Sequence, residues 1–268
     1  MVRFVLPLLA LALVGCGSEP PPPAPPPPPP LVVKVAADPE LVPVAEALLA
    51  NSPRDVDGEV VPLEDGPAYR ALLAGEVHGV IALRPPSVAE REAARGDGLL
   101  TERPLRAFAV AEDPLALVAP PGSALGTLSL EDAASALATG RLVSGREVTL
   151  VGLPAASPSG ELIRRALLGG QTLHGSLQEL GRSDEVARRV RDEPGALGYC
   201  SGANLLGVGA VSLRTDAGVV VPGDDGWPLR RSILLVTQGE TEPGHALAAA
   251  IEPAAERLST LGYRPGGG

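Results

Sequence analysis

The sequence predicts an α/β fold, because strand and helix patterns alternate along the chain from residue 31 and because the chain can bury a large core. Its 268 residues are 45% hydrophobic but only 2% aromatic, so the core must be aliphatic. Strands and helices that alternate in this way imply parallel strand pairing with helical crossovers. The length allows one large domain or two small ones.

Apolar strands alternate with helices in the first part of the chain. The strands are predicted at 31–36, 58–62 and 77–83, and the helices at 40–50, 68–74 and 88–94. Two further strands, 105–111 and 115–119, follow with a break at Asp113-Pro114, because proline has no N–H to donate to a neighbouring strand. We expect the chain to cross between two domains at that break.

The same alternation continues to the end of the chain. Helices are predicted at 129–139, 160–168, 184–191 and 243–258, and strands at 148–152, 196–200, 210–213 and 231–237. Ser129 is expected to cap its helix, with Glu131 and Asp132 in the first turn, where acidic residues are favourable.

The N-terminus is predicted to direct export and anchoring. Residues 1–15 have a basic start and a short apolar stretch, as in a secretory signal. The stretch ends at Cys16, and the residues before it resemble the bacterial lipobox, which implies lipidation of Cys16 and a place in the cell envelope facing the periplasm or the exterior. An ordinary signal with an incidental cysteine is the alternative. Residues 16–30 contain ten prolines and are expected to form an extended tether.

Composition and residue spacing exclude several classes of function. A net charge of −10 argues against a nucleic-acid partner, because binding phosphates needs clustered cations. The only lysine, Lys34, lies outside any phosphate-loop motif. Cys200 has no evident base and lies in an apolar strand, so we expect a core thiol. The three histidines, His78, His174 and His245, lack metal-binding spacing, so no metal is predicted. No serine lies in a G-x-S-x-G motif, and neither a cofactor nor an enzymatic activity is predicted.

Six short motifs, in order, resemble those of type II periplasmic binding proteins, and among them the phosphate-binding (PstS-type) solute receptors of ABC transporters. The match to the Pro-Gly-Ala-Ile-Gly-Tyr strand, at 193–199, is the most specific. The six motifs are 79–85 (GVIALRP), 113–118 (DPLALV), 128–132 (LSLED), 157–161 (SPSGE), 193–199 (EPGALGY) and 226–231 (GWPLRR).

The resemblance implies a two-lobed fold with a hinge and a small ligand, expected to be anionic, between the lobes. Lobe 1 would comprise residues 31–112 and 214–268, and lobe 2 residues 113–213. Helix N-termini present unpaired N–H groups to an anion. The ligand-binding residues implied by the matching turns and strand end are Asp38, Pro39, Asp65, Gly66, Arg84, Ser157, Ser159 and Gly160. Ser159 would donate its hydroxyl, and Gly160 would let the ligand approach the backbone.

The sequence departs from the phosphate receptors at several of these positions. Ala155 stands where those receptors have a ligand-binding arginine, and acidic residues replace hydroxyl residues at Asp38, Asp65 and Glu161. Carboxylates in the cleft would repel a phosphate, unless they cap their own helices instead. The arginine pair Arg230-Arg231 has two interpretations. It could make a hinge contact to an anion, or it could be an ordinary pair at the edge of a strand, and the second is favoured.

Two functions follow from the resemblance. The first is a lipid-anchored solute-binding protein, expected to be a monomer, that presents its ligand to an ABC permease. The second is a lipoprotein that keeps the fold but has a structural or signalling role and does not bind phosphate.

Overall fold

The computed structural model of the chain describes residues 29–53, 55–96, 98 and 104–266. The predicted signal at 1–15, the lipidation site Cys16 and most of the tether lie outside these residues. The strands are β1 (Leu31–Ala37), β2 (Val56–Pro62), β3 (Gly79–Ala82), β4 (Leu105–Ala119), β5 (Thr127–Ser129), β6 (Thr149–Gly152), β7 (Gln178–Glu179), β8 (Ala196–Ser201), β9 (Gly209–Ala210), β10 (Ser212–Thr215), β11 (Gly218–Val220), β12 (Arg230–Gln238) and β13 (Arg264–Pro265). The helices are α1 (Val42–Ala50), α2 (Asp65–Ala74), α3 (Val88–Gly96), α4 (Leu130–Thr139), α5 (Pro158–Ala166), α6 (Ser183–Asp192), α7 (Glu242–Ala249) and α8 (Ala255–Thr260).

The main sheet has the strand order β2-β1-β3-β12-β4-β8-β6-β7 and is divided between two lobes. In lobe 1, β1 pairs in parallel with β2 and β3, and β12 is antiparallel to β3 and β4. In lobe 2, β6 pairs in parallel with β7 and β8, and β8 is antiparallel to β4. A small second sheet, β11-β10-β5, belongs to lobe 2. The predicted parallel pairing is therefore present, with antiparallel strands at the junction of the lobes.

The strand β4 joins the lobes without the predicted break. Pro114 is its last residue paired with β12, and the next residue, Leu115, is the first paired with β8. The missing N–H of Pro114 thus falls where the strand changes partner, so it costs no ladder hydrogen bond. The prediction of two strands was wrong, although the crossing between the lobes does lie at Asp113-Pro114.

The second crossing lies later than predicted. Trp227 and Leu229 are buried in the hydrophobic core of lobe 2, and the indole N–H of Trp227 donates to the Leu115 carbonyl at 3.0 Å. Because residues 214–229 remain with lobe 2, we place the return to lobe 1 at β12, near Arg230, and not at residue 214. In lobe 1, separate cores cover the two faces of the sheet, one including α1, α7 and α8 and the other α2.

The predicted terminal helix at 243–258 is two helices. The turn between α7 and α8 contains Pro253, which has no backbone N–H to continue a helix. Within the described part of the chain, no helix is long and apolar enough to cross a membrane.

Candidate functional site

A cavity of about 600 Å³ lies between the two lobes. Lobe 1 contributes the turn after β1, the start of α2 and the end of β3, and lobe 2 contributes the turn that opens α5. The predicted residues that line the cavity are Asp38, Asp65, Gly66, Arg84, Ser157 and Ser159. Residues far apart in the sequence therefore meet in one cleft.

The turn after β1 connects the two lobes instead of capping α1. One carboxylate oxygen of Asp38 accepts the backbone N–H of Glu40 at 2.9 Å, and no side chain caps α1. The Glu40 carboxylate accepts the backbone N–H of Ser183, the first residue of α6 in lobe 2, at 2.5 Å. Burial raises the pKa of both Asp38 and Glu40. Pro39 does not line the main cavity but borders an adjoining cavity of about 150 Å³.

At the outer edge of the cleft, Arg84 is held by two carboxylates, and we call Arg84, Asp65 and Glu90 the rim cluster. Both terminal nitrogens of Arg84 donate to Glu90 at 2.8 Å, and its Nε lies 3.3 Å from Asp65. The hydrogen bond from Arg84 lowers the pKa of Glu90 to about 2. Burial raises the pKa of Asp65 to about 6. Asp65 is the first residue of α2 and pairs with Arg84, so it does not cap the helix.

The turn that opens α5 uses much of its hydrogen-bonding capacity locally. The hydroxyl of Ser157 caps the helix by accepting the N–H of Gly160 at 3.3 Å. Gly160 does not line the cavity: a Cβ on it would lie 2.4 Å from the carbonyl oxygen of Ala155. The glycine therefore allows close packing within the turn, and its predicted contact with a ligand stays a prediction. Glu161 forms an ion pair with Arg164 of its own helix.

A buried network reaches the floor of the cavity through Arg231 and Ser159. We call it the hinge cluster, and its members are Arg231, Asp113, Ser159 and Ser201. Arg231 on β12 donates to Asp113 on β4 and to the hydroxyl of Ser159 at the start of α5. Ser201 donates to the other oxygen of Asp113 at 2.9 Å. Burial by itself would lower the pKa of Arg231, but the nearby Asp113 and Glu40 carboxylates raise it. The guanidinium therefore stays charged and links both crossing strands to lobe 2.

The sequence interpretation that favoured an ordinary strand-edge pair at 230–231 missed this role of Arg231. A signal was present, because side chains alternate between faces along a strand. Arg231 shares the buried face of β12 with Ile233 and Leu235, whereas Arg230 is half-buried and pairs with Glu112. An arginine in register with two core residues indicates a buried, paired guanidinium.

The cavity lining carries more negative than positive charge. Its carboxylates are Asp38, Glu40, Glu64, Asp65 and Glu161, and its cationic residues are Arg84 and Arg231. Both arginines already contact carboxylates of the protein. In the described ranges, no group of three His, Cys, Asp or Glu residues is placed to hold a metal ion. Burial raises the pKa of the Cys200 thiol to about 12, so at neutral pH it is not a thiolate.

Comparison with solved structures shows the two-lobed periplasmic-binding-protein-like fold. No family model and no curated protein match the sequence. A phosphate ABC transporter substrate-binding protein from Clostridium perfringens, solved with bound phosphate, is 18% identical, with a TM-score of 0.70 over 88% of this chain and 100% of that one. An ABC-type phosphate transport receptor from Vibrio cholerae is 14% identical, with a TM-score of 0.62 over 88% and 100%. A Corynebacterium glutamicum OxyR mutant is 11% identical, with a TM-score of 0.58 over 86% and 64%.

Proposed function

We propose that this chain is a solute-binding protein that holds a small ligand between its lobes and presents it to an ABC transporter permease. One observation carries the proposal: turns from both lobes converge on a cavity of about 600 Å³. Small-molecule sites usually occupy roughly 300–1,000 Å³ and often lie where two domains meet. Solved receptors of the same fold, one of them with bound phosphate, support the same function.

Hinged closure is the motion that this architecture favours. Within the described residues the chain passes between the lobes in β4 and again near the start of β12. Between the lobes, the Glu40 carboxylate of lobe 1 accepts the Ser183 N–H of lobe 2. Two connecting strands with a polar contact across the cleft are suited to hinge motion around a ligand.

The ligand carries an anionic or hydrogen-bond-accepting group, but orthophosphate alone fits the cleft poorly. Ser159 and Arg231 offer donors at the floor, beside the N-terminus of α5. A phosphate would lie among carboxylates that outnumber the cavity's arginines. Like charges about 4 Å apart repel by roughly 1–4 kcal/mol in water or near a protein surface. We therefore expect orthophosphate to bind weakly.

The location rests on the N-terminal sequence. Lipidation of Cys16, followed by a tether of ten prolines, would anchor the folded lobes to a membrane in the cell envelope. Cys16→Ser is expected to release the protein from membranes into the soluble fraction. Membrane association that survives this substitution would contradict the anchor.

A second function is favoured by one specific observation: carboxylates of the protein already pair with Arg84 and Arg231. A lipoprotein that has lost ligand binding and serves a structural or signalling role would show the same pairing. Thermal unfolding of the full chain distinguishes the two functions, because a ligand at 100 times its Kd adds about 2.7 kcal/mol to the free energy of unfolding. A screen of phosphate, sulfate, molybdate, organic acids and amino acids should find a stabilising ligand if the chain is a receptor. A screen without any shift would support the second function.

A further inference from the structure

We propose that the ligand is a small organic zwitterion, whose anionic group contacts the hinge cluster and whose amine lies between Asp38 and Asp65. This inference rests on the proposed receptor function and names the class of its ligand. Three features of the cleft support it: its size, an unpaired buried donor, and carboxylates of lobe 1 that outnumber the arginines of the cavity lining.

The volume of the cavity favours an organic molecule. At about 600 Å³ the cavity lies in the middle of the range for sites that hold small organic ligands and cofactors. A single tetrahedral anion would fill a small part of it. Gly66 adds room at the lobe 1 wall, because the nearest atom to a Cβ on this residue would be a Glu90 oxygen at 3.8 Å.

The hinge cluster has a donor that lacks an acceptor. The side chain of Arg231 is only 4% exposed and lines the cavity. Its two terminal nitrogens donate to Ser159 and Asp113, whereas its Nε has no hydrogen-bond partner among the described residues. This atom has almost no accessible surface, so a ligand acceptor reaches it only if the lobes shift around the hinge cluster. A buried charged donor without an acceptor is unfavourable, so such an acceptor would gain binding free energy there. The Ser159 hydroxyl accepts from Arg231 and keeps its own proton to donate.

The lobe 1 wall has the opposite character. Asp38 uses one oxygen for the N–H of Glu40 and has no cationic side chain within salt-bridge distance among the described residues, although the Arg231 charge acts on it from further away. Asp65 shares Arg84 with Glu90, which holds that guanidinium at two shorter distances. Burial is the largest cause of the raised pKa of each aspartate, and neighbouring carboxylates add to it: Asp38 raises the pKa of Asp65, and Glu64 raises that of Asp38. A protonated amine between the two aspartates would relieve this repulsion.

The arrangement is therefore polarised across the cavity. A donor-rich floor at Arg231 and Ser159 suits a carboxylate or a similar anionic group, and an acidic wall at Asp38 and Asp65 suits an amine. A simple anion satisfies the floor but meets the acidic wall, and a simple amine satisfies the wall but leaves the Arg231 donor unpaired. A ligand with both groups satisfies both sides.

The test is a calorimetric titration of the full chain with matched probes. The zwitterions are the α-amino acids and the straight-chain ω-amino acids; each is compared with the same acid without its amine, with the same amine without its acid, and with inorganic phosphate. We expect a zwitterion to bind roughly tenfold or more tightly than either matched single-charge probe, because a hydrogen bond to a charged group is lost in each of those probes. Equal or tighter binding of a single-charge probe or of phosphate would overturn the inference and leave the receptor function standing. No binding by any probe, together with no stabilising ligand in the thermal screen, would overturn both.

Asp38→Asn locates the amine. The amide keeps an oxygen for the N–H of Glu40, so the turn is preserved while the charge is removed. We expect the variant to weaken binding of the zwitterion by roughly tenfold to a hundredfold and to leave the deaminated acid bound as well as before or better. Asp57→Asn, at an exposed position of β2, is the matched control and should change neither affinity. Equal losses for the two probes in Asp38→Asn, or equal effects of the two variants, would overturn the inference.

Discussion

The hinge cluster and the rim cluster both pair an arginine with carboxylates in the same cleft, but they differ in burial and in what they connect. The arginine side chain is 4% exposed in the hinge cluster and 38% exposed in the rim cluster. Arg231 joins β12 to β4 and to α5 of lobe 2, whereas Arg84 contacts only residues of lobe 1 in its cluster. The comparison indicates that the hinge cluster couples the lobes and that the rim cluster organises one wall.

Asp113→Asn should have the largest effect on stability. Removing the charge leaves Arg231 buried without its counterion, and breaking a buried ion pair in this way typically costs about 3–5 kcal/mol. We expect the free energy of unfolding in urea to fall by that amount. A loss of less than about 1 kcal/mol, the usual value for an exposed pair, would show that burial does not distinguish the two clusters.

The pH dependence of stability should report the rim cluster through Asp65. Its pKa in the folded protein is about 6, above the ordinary value of 3.8, so the folded state binds the proton more tightly than the unfolded state. The contribution of Asp65 to stability is therefore present below about pH 4 and is lost as the pH rises to about 6. With about 1.4 kcal/mol for each unit of pKa difference, the change is on the order of 3 kcal/mol.

Asp65→Asn should remove this slope, and urea unfolding at a series of pH values measures it. Asp57→Asn should leave the slope unchanged. Glu90 titrates in a separate window: its pKa is lowered to about 2, so its contribution is lost as the pH falls below 4.5. An unchanged slope between pH 4 and 6 in Asp65→Asn would contradict the assignment to Asp65.

Ser159→Ala should destabilise the protein by about 1–2 kcal/mol, because the Arg231 nitrogen loses its acceptor in a buried site. Ser157→Ala is the matched comparison, since it removes the helix cap in the same turn at a similar cost of about 1 kcal/mol. Urea unfolding measures both. Only Ser159→Ala should also weaken ligand binding, because Ser159 contacts Arg231 in the hinge cluster, where the anionic group of the ligand is proposed to bind. If the two variants bind the ligand with equal affinity, Ser159 does not contribute to the binding site.

Glu90→Gln should have the smallest effect, about 1 kcal/mol or less, because Arg84 is partly exposed and keeps Asp65 as a partner. Urea unfolding of this variant beside Asp113→Asn compares the two clusters directly. Similar losses of unfolding free energy in the two variants would show that the hinge cluster and the rim cluster do not differ in their contribution to stability.

The sequence predicted the elements better than it predicted their roles. Alternating strands and helices and the motif order indicated the two-lobed fold, and β4 changes its partner from β12 to β8 at Pro114, within the predicted Asp113-Pro114 segment. The later crossing was missed because Trp227 and Leu229 pack into lobe 2 through contacts that no local pattern reveals. A strand break was predicted at Pro114, but β4 continues through it because the strand changes its partner from β12 to β8 at this residue. The identity of the partner strands cannot be seen in the local sequence.

The site shows the same limit. The turns at Asp38, Asp65 and Ser157 line the cavity between the lobes, and they could be located because strand ends and helix starts can be predicted from sequence. Arg231 was missed because its importance comes from Asp113 and Ser159, which lie 118 and 72 residues away in the chain. Gly160 was assigned to the ligand, although the close approach it permits is to the Ala155 carbonyl.

The central claim is that the cleft between the lobes binds a small ligand and closes on it. Hydrogen exchange of the full chain, with and without the best-binding compound from the titrations, tests it most directly. We predict slower exchange at two amides together: that of Ser183, which donates to the Glu40 carboxylate between the lobes, and that of Glu40, which donates to Asp38 at the cavity wall, because closure on a ligand holds both contacts. Protection confined to one lobe, or located away from the cleft, would contradict it.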